Sequence, residues 1–138
     1  MPRAVLDTNV LVSALITPVG ASARLLVELR AGAFELVVSP MLMTELRDVL
    51  GREKFRRYVT KVEADAYVEL IRRDSIVHED PQPSPDRLAV DTDDEFLLDL
   101  ARAASVDVLV SGDKRLLDLR QVVRVMTPTE FLVSLGDA

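Results

Sequence analysis

Arg3-Ala4-Val5-Leu6-Asp7-Thr8-Asn9-Val10-Leu11 is the stretch on which the fold turns. Arg3 to Leu6 is a short apolar run that ends on a carboxylate. Asn9 to Ile16 then reads as a helix, stopped near Pro18 and Gly20. A strand that ends on an acid and passes at once into a helix is the opening unit of a parallel α/β sheet.

The alternation continues along the chain. Ser22 is the expected N-cap of a second helix running to about Ala31, with Gly32 at its end. Glu35 to Val38 is a second strand, and Pro40, at a first helical turn, opens a helix through Leu50. Gly51 to Thr60 is a basic connector, Glu63 to Arg73 is helical, and Ser75 to His78 is a strand. Pro81, Pro83 and Pro85 rule out regular structure and mark a loop long enough to be functional or mobile. Asp94 to Ala104 is helical, and Val108 to Val110 is a strand followed by Ser111, Gly112 and Asp113. A short helix over Leu116 to Leu119, a last strand over Val123 to Met126 and a final helix from Pro128 complete the chain. This order predicts an open parallel sheet with helices on both faces. At 138 residues, without repeats or a composition break, one domain spanning residues 1–138 is expected.

Composition narrows the functional classes. Apolar residues make up 49% and charged residues 29%, a globular balance. The absence of cysteine excludes disulfides, thiolate zinc sites and thiol catalysis, and it suits a reducing cytoplasm. No apolar run approaches the ~20 residues of a membrane span, and Met1, Pro2 and Arg3 lead straight into a strand, so no signal peptide is expected. Six aromatics without tryptophan make a stacking platform for single strands unlike this chain. The net charge of -6 by itself disfavours a nucleic-acid partner. That charge is uneven. Glu79 to Asp99 holds eight acids and one base, and outside it acids and bases nearly balance, 15 to 16. Five bases fall between Arg52 and Lys61 against one acid, Glu53. Either cluster also suits a plain solvated face.

Four acids stand out by position. In open α/β sheets, sites form beyond the carboxyl ends of strands. Asp7 directly follows the first strand, and Asp113 follows the fourth through a Ser-Gly turn. An aspartate in either place also suits an ordinary helix cap or turn. Glu45 shares a helix face with Leu42, Leu46 and Val49, where a carboxylate is costly unless paired or metal-bound. A stripe-edge glutamate paired with arginine is the plainer alternative. Asp94 starts a helix three and four residues before Leu97 and Leu98, a position that also favours a simple N-terminal charge. Asp93 rivals it directly, Asp91 is an alternative cap of the same turn, and Asp99 is expected to face outward near Arg102. His78 reads as structural. Four acids on one rim, with no lysine inside the cluster, call for a divalent cation, and oxygen-only ligands select Mg²⁺ or Mn²⁺. Such ions bind phosphodiesters and activate water without a catalytic histidine.

Leu6-Asp7-Thr8-Asn9-Val10-Leu11, Met43-Thr44-Glu45-Leu46, Asp93-Asp94-Glu95-Phe96-Leu97-Leu98 and Val110-Ser111-Gly112-Asp113 resemble the motifs of PIN-domain nucleases. The closer resemblance is to the branch of VapC-like toxins of toxin–antitoxin systems, and it covers Arg3 to about Leu135. It implies a three-layer fold with a parallel five-stranded sheet of order 3-2-1-4-5. It implies a metal-dependent endoribonuclease whose acids are Asp7, Glu45, Asp94 and Asp113. Asp7 and Asp113 are then the most direct ligands of one or two Mg²⁺ or Mn²⁺ ions, and Glu45 and Asp94 ligate the metal or hold its water. Thr8, Asn9 and Ser111 match small polar positions that orient those acids. The family's spacing to the following helix favours Asp94 over Asp93 as the third acid. Relatives of this branch dimerise and are held inactive by an antitoxin whose tail covers the site. The terminal helices offer such a dimer face.

Arg52, Lys54, Arg56, Arg57 and Lys61, with Lys114 and Arg115, are the expected guides for an RNA backbone. A phosphoaspartate receiver or phosphohydrolase fits worse. Asp7, Thr8 and Asn9 lack the Asp-x-Asp spacing, and Lys114 directly follows Asp113. A non-catalytic PIN-like binding or assembly module is the remaining alternative.

Overall fold

In the computed structural model, residues 1–85 and 92–136 are described. The opening stretch forms β1 (Arg3–Leu6) and α1 (Thr8–Ile16). Ala4, Val5 and Leu6 are fully buried, so this strand is covered on both faces, as a central parallel strand must be. β2 (Glu35–Val38) pairs with β1 on one side, with Ala4 opposite Leu36. β4 (Val108–Val110) pairs with it on the other, from Ala4 opposite Val108 to Leu6 opposite Val110. The short edge strands β3 (Ile76–Val77) and β5 (Val125–Met126) complete a sheet of order β3-β2-β1-β4-β5, parallel throughout.

Order 3-2-1-4-5 reverses direction at β1. Right-handed crossovers therefore send the helices to opposite faces of the sheet. α1 packs against both α2 (Ala21–Arg30) and α3 (Pro40–Leu50), α3 packs against α4 (Lys61–Arg73), and α7 (Pro128–Gly136) closes on α2. α5 (Thr92–Ala103) lies against β1 and β4, and α6 (Lys114–Leu117) leads into β5. One contiguous core links both layers, and Leu36, Leu42, Leu46, Leu98 and Leu109 are at its centre. Phe34 and Phe131 meet edge to face at 5.1 Å and fasten the final helix to it.

Local chemistry accounts for most boundaries. Ser39 caps α3 by accepting from the Leu42 N–H at 3.3 Å, with Pro40 preset in the first turn. Thr60 and Glu63 form a reciprocal capping box that opens α4 two residues earlier than the apolar pattern predicts. Gly32, at φ +81°, ends α2 in a Schellman turn, with the Ala33 N–H reaching the Glu28 carbonyl. The start of α2 differs from the sequence expectation. Gly20, at φ +135°, occupies the cap without a side-chain hydrogen bond, and Ser22 lies inside the first turn. β3 and β5 are shorter than expected, although the His78 N–H still reaches the Val38 carbonyl at 2.8 Å. No single helix among the described residues is long and apolar enough to cross a membrane.

Candidate active site

The strand order reverses between β1 and β4, the place beyond whose carboxyl ends open α/β sheets form their sites. Asp7 and Ser111 leave these two strands side by side, and the Asp7 N–H donates to the Val110 carbonyl at 2.9 Å. Asp7 Oδ1 accepts from the Asn9 N–H at 3.3 Å and so caps α1. Its other oxygen, Oδ2, accepts from the Ser111 hydroxyl at 2.8 Å. The same hydroxyl accepts from the Asp113 N–H at 3.0 Å. Asp113 Oδ1 in turn caps α6 through the Arg115 N–H at 2.9 Å. Helix capping and convergence on the rim are thus one arrangement. The caps hold the carboxylates where the strands deliver them.

These groups act on one another's charge. Burial pushes the Asp7 carboxyl above its usual value, and the neighbouring Asp113 charge adds to this, while Ser111 and the Asn9 N–H hold it down. Glu45, half-buried on α3, is raised by desolvation first, then by Asp93 and Asp7, and Arg52 partly offsets them. Asp113 moves the other way, lowered chiefly by the Arg115 guanidinium.

α5 begins at Thr92, two residues before the position expected from the sequence, and this separates the tandem acids. Asp94 is buried and lies 3.7 Å from Arg115, on the Asp113 side. Asp93 is exposed and faces Glu45 across the groove. Asp91, the alternative cap, lies outside the described residues, as do Asp86 and Arg87 of the acidic window.

Two buried acids escape the sequence reading. Asp99 is 7% exposed, contrary to its expected outward position, because Oδ1 accepts from the Ser84 N–H at 3.3 Å. Glu95 is buried one turn earlier on the same flank. The proline segment makes this flank an inside. Asp80 ties it to the start of α3 by accepting from the Met41 N–H at 2.9 Å, and Ser84 ties it to α5. A cleft of 760 Å³ remains beneath, lined by Glu45, Asp48, Arg52, Asp93, Glu95 and Asp99 with Pro81, Pro83 and Phe96. An i, i+4 acid pair upstream of Arg102, on a helix preceded by prolines, was the only available sign.

The basic connector does not present one surface. Arg52 lines the acidic cleft near Glu45, whereas Arg56 and Lys61 line a separate 500 Å³ pocket with Arg47 and Asp65. Lys54 lies over the Phe55 ring at 5.0 Å and Arg57 over Tyr58 at 5.7 Å. Lys114 points to Asp118 at 4.0 Å, while Arg115 turns into the acids. The sequence reading found no lysine among the acids, and the counter-charge that the fold brings in is this arginine.

The donor set is all oxygen and fits a hard divalent ion. The buried Thr8 hydroxyl points the same way. It stands near enough for its dipole to steady Glu45, but makes no hydrogen bond of ordinary geometry, so it is an orphaned polar atom at the rim. Among the described residues, no three acids stand together as a ready-made metal cage.

The comparisons with known proteins agree with this architecture. The chain aligns over 91% of its length with 98% of a chain in the crystal structure of VapBC2 from Rickettsia felis bound to a DNA fragment from its promoter, at TM-score 0.65 and 14% identity. It aligns over 99% of its length with 97% of PAE2754 from Pyrobaculum aerophilum, at TM-score 0.72 and 19% identity. At such identities the likeness is one of fold. No curated protein matches the sequence. The PIN domain family model matches residues 3–115, which include all four acids and the switch point between β1 and β4, and the chain therefore belongs to the PIN-domain family.

Proposed function

We propose that residues 1–138 act as one domain that is a divalent-metal-dependent endoribonuclease, the toxin component of a toxin–antitoxin pair. The observation that carries this reading is the delivery of Asp7 and Asp113 to one rim by adjacent strands, joined through the Ser111 hydroxyl. In this reading Asp7 and Asp113 hold one or two Mg²⁺ or Mn²⁺ ions directly, and Asp94 and Glu45 complete the oxygen set. Thr8, Asn9 and Ser111 orient the carboxylates. The ion, when bound, supplies activation of water and stabilisation of the leaving oxygen. Glu45, half-buried on α3, ligates the ion in this reading or holds its water.

RNA is the substrate in this proposal. Arg52 steers the backbone at the acidic cleft, and Arg56 engages a phosphate farther along the strand, with Lys54, Arg57 and Lys114 as peripheral charges. A protein antitoxin partner is supported by the fold likeness to the Rickettsia felis VapBC2 structure. A homodimer is supported by Val27 on α2 and Val133 on α7, exposed on two helices that pack together. A cytoplasmic location fits a cysteine-free chain. One observation favours a second reading, a non-catalytic assembly module: Arg115 already neutralises part of the acid cluster. Cleavage of a mixed RNA pool separates the two. Wild type with Mn²⁺ is expected to cut, and Asp7→Asn and Asp113→Asn are not. Failure of wild type to cut, or equal cutting by all three, removes the nuclease reading.

A further inference from the structure

Among the described residues, Arg115 brings positive charge between Asp94 and Asp113. Its Nη2 lies 3.2 Å from Asp113 Oδ2 and its Nε lies 3.5 Å from Asp113 Oδ1. The same Nε lies 3.7 Å from Asp94 Oδ2. Asp94 is enclosed and Asp113 only partly so, and the arginine side chain is 62% exposed. Its backbone is pinned, because the Arg115 N–H caps onto Asp113, while its side chain reaches solvent. Lys114, the adjacent cation, is directed elsewhere, to Asp118.

We propose that Arg115 is a built-in competitor for the divalent ion. Its guanidinium occupies the counter-charge position between Asp94 and Asp113 and must swing out before both carboxylates can ligate metal. This inference rests on the metal-site reading of the preceding subsection. A guanidinium and a dication satisfy the same oxygens, so the two cannot both be fully engaged. Metal loading is therefore opposed by breaking an ion pair that lies at the surface on one side and is desolvated on the other. A pair of that kind weakens affinity by a small factor, not by orders of magnitude. The consequence is regulatory. The chain binds metal only above a higher free-ion concentration than its acids alone would need. The displaced guanidinium remains tethered at the rim as a cation for the substrate backbone.

The test measures Mn²⁺ affinity directly, by calorimetry and by the electron paramagnetic resonance signal of free Mn²⁺, on the full chain without RNA. Arg115→Ala is expected to bind Mn²⁺ about two- to fivefold more tightly than wild type. Arg115→Lys, which keeps the charge but loses the fork, is expected to fall between them. Lys114→Ala removes the same formal charge one residue away and is expected to change affinity less than Arg115→Ala. Circular dichroism checks that each variant is folded, which the exposure of both side chains favours. Unchanged or weaker affinity in Arg115→Ala overturns the proposal while leaving the metal site standing. An equal gain in Lys114→Ala also overturns it, because the effect is then the general field and not the pairing. If neither wild type nor any variant binds Mn²⁺, the metal-site reading falls and this inference falls with it.

Discussion

Ser111 Oγ donates a 2.8 Å hydrogen bond to Asp7 Oδ2 between residues 104 positions apart in the chain. The contact joins the ends of β1 and β4, and it is buried. It is also the main interaction that holds the Asp7 carboxyl down against the desolvation that raises it. Ser111→Ala removes a hydrogen bond to a buried ionised group and is expected to lower stability by about 1–3 kcal/mol at neutral pH. Urea unfolding measures this, and a midpoint equal to that of wild type would show that the bond contributes nothing.

Asp7 and Glu45 have carboxyls raised above their usual values of 3.8 and 4.5. A raised folded-state pKa means the folded chain binds protons more readily than the unfolded one. The stability these groups contribute is present below the ordinary carboxylate range and is lost as pH rises through their raised values. Metal-free Asp7→Asn is therefore expected to melt above wild type at pH 7 and to gain less on acidification. It is also expected to lack the Mn²⁺-induced rise in melting temperature that the proposed metal site predicts for wild type. A lower melting temperature for Asp7→Asn at pH 7 would contradict a net desolvation cost at this carboxylate.

The separation of Asp93 from Asp94 predicts unequal effects. In the proposed nuclease, Asp94→Asn is expected to reduce kcat on the order of 100-fold, the scale for losing a group aimed at developing charge. Asp93→Asn, at an exposed position across the groove, is expected to change kcat less than about tenfold. Single-turnover cleavage compares them, and the reverse order would assign the third acid to Asp93.

The division of the basic connector gives a binding prediction. Arg56→Ala is expected to weaken RNA binding and to reduce the slope of log affinity against log salt by about one, with kcat unchanged. Arg52→Ala, beside Glu45, is expected to impair both binding and cleavage. Fluorescence anisotropy across a salt series reads the first effect. Binding that does not change at low salt removes the residue concerned from the RNA path.

Tyr67 on α4 tests the scaffold instead of the chemistry. Its buried hydroxyl donates to the Leu11 carbonyl of α1 at 2.7 Å, and burial pushes its own pKa up. Tyr67→Phe is expected to destabilise the chain by about 1 kcal/mol with RNA cleavage unaffected. Thermal melting and the cleavage assay check the two halves separately.

The sequence by itself determined the order of elements, the parallel sheet and the family. Those follow from short-range signals: Leu6-Asp7 at a strand end, Pro40 in a first turn, and the alternation of apolar runs with amphipathic ones. The four acids were legible as candidates for the same reason, since each sits at a boundary or on a stripe that local periodicity exposes. Tertiary structure alone decided how the charges pair. Asp99 became an inside residue because the proline segment, tied down by Asp80 and Ser84, covers a flank that helical periodicity marks as outer. Asp93 and Asp94 were divided between two neighbourhoods by 100° of helix rotation per residue acting on walls of different charge. Arg115 entered the acid cluster while Lys114 left it, a choice set by the direction in which α6 departs from Asp113. Coulomb interactions depend on distances between side chains remote in sequence, and only the packed sheet and its crossing helices fix those distances.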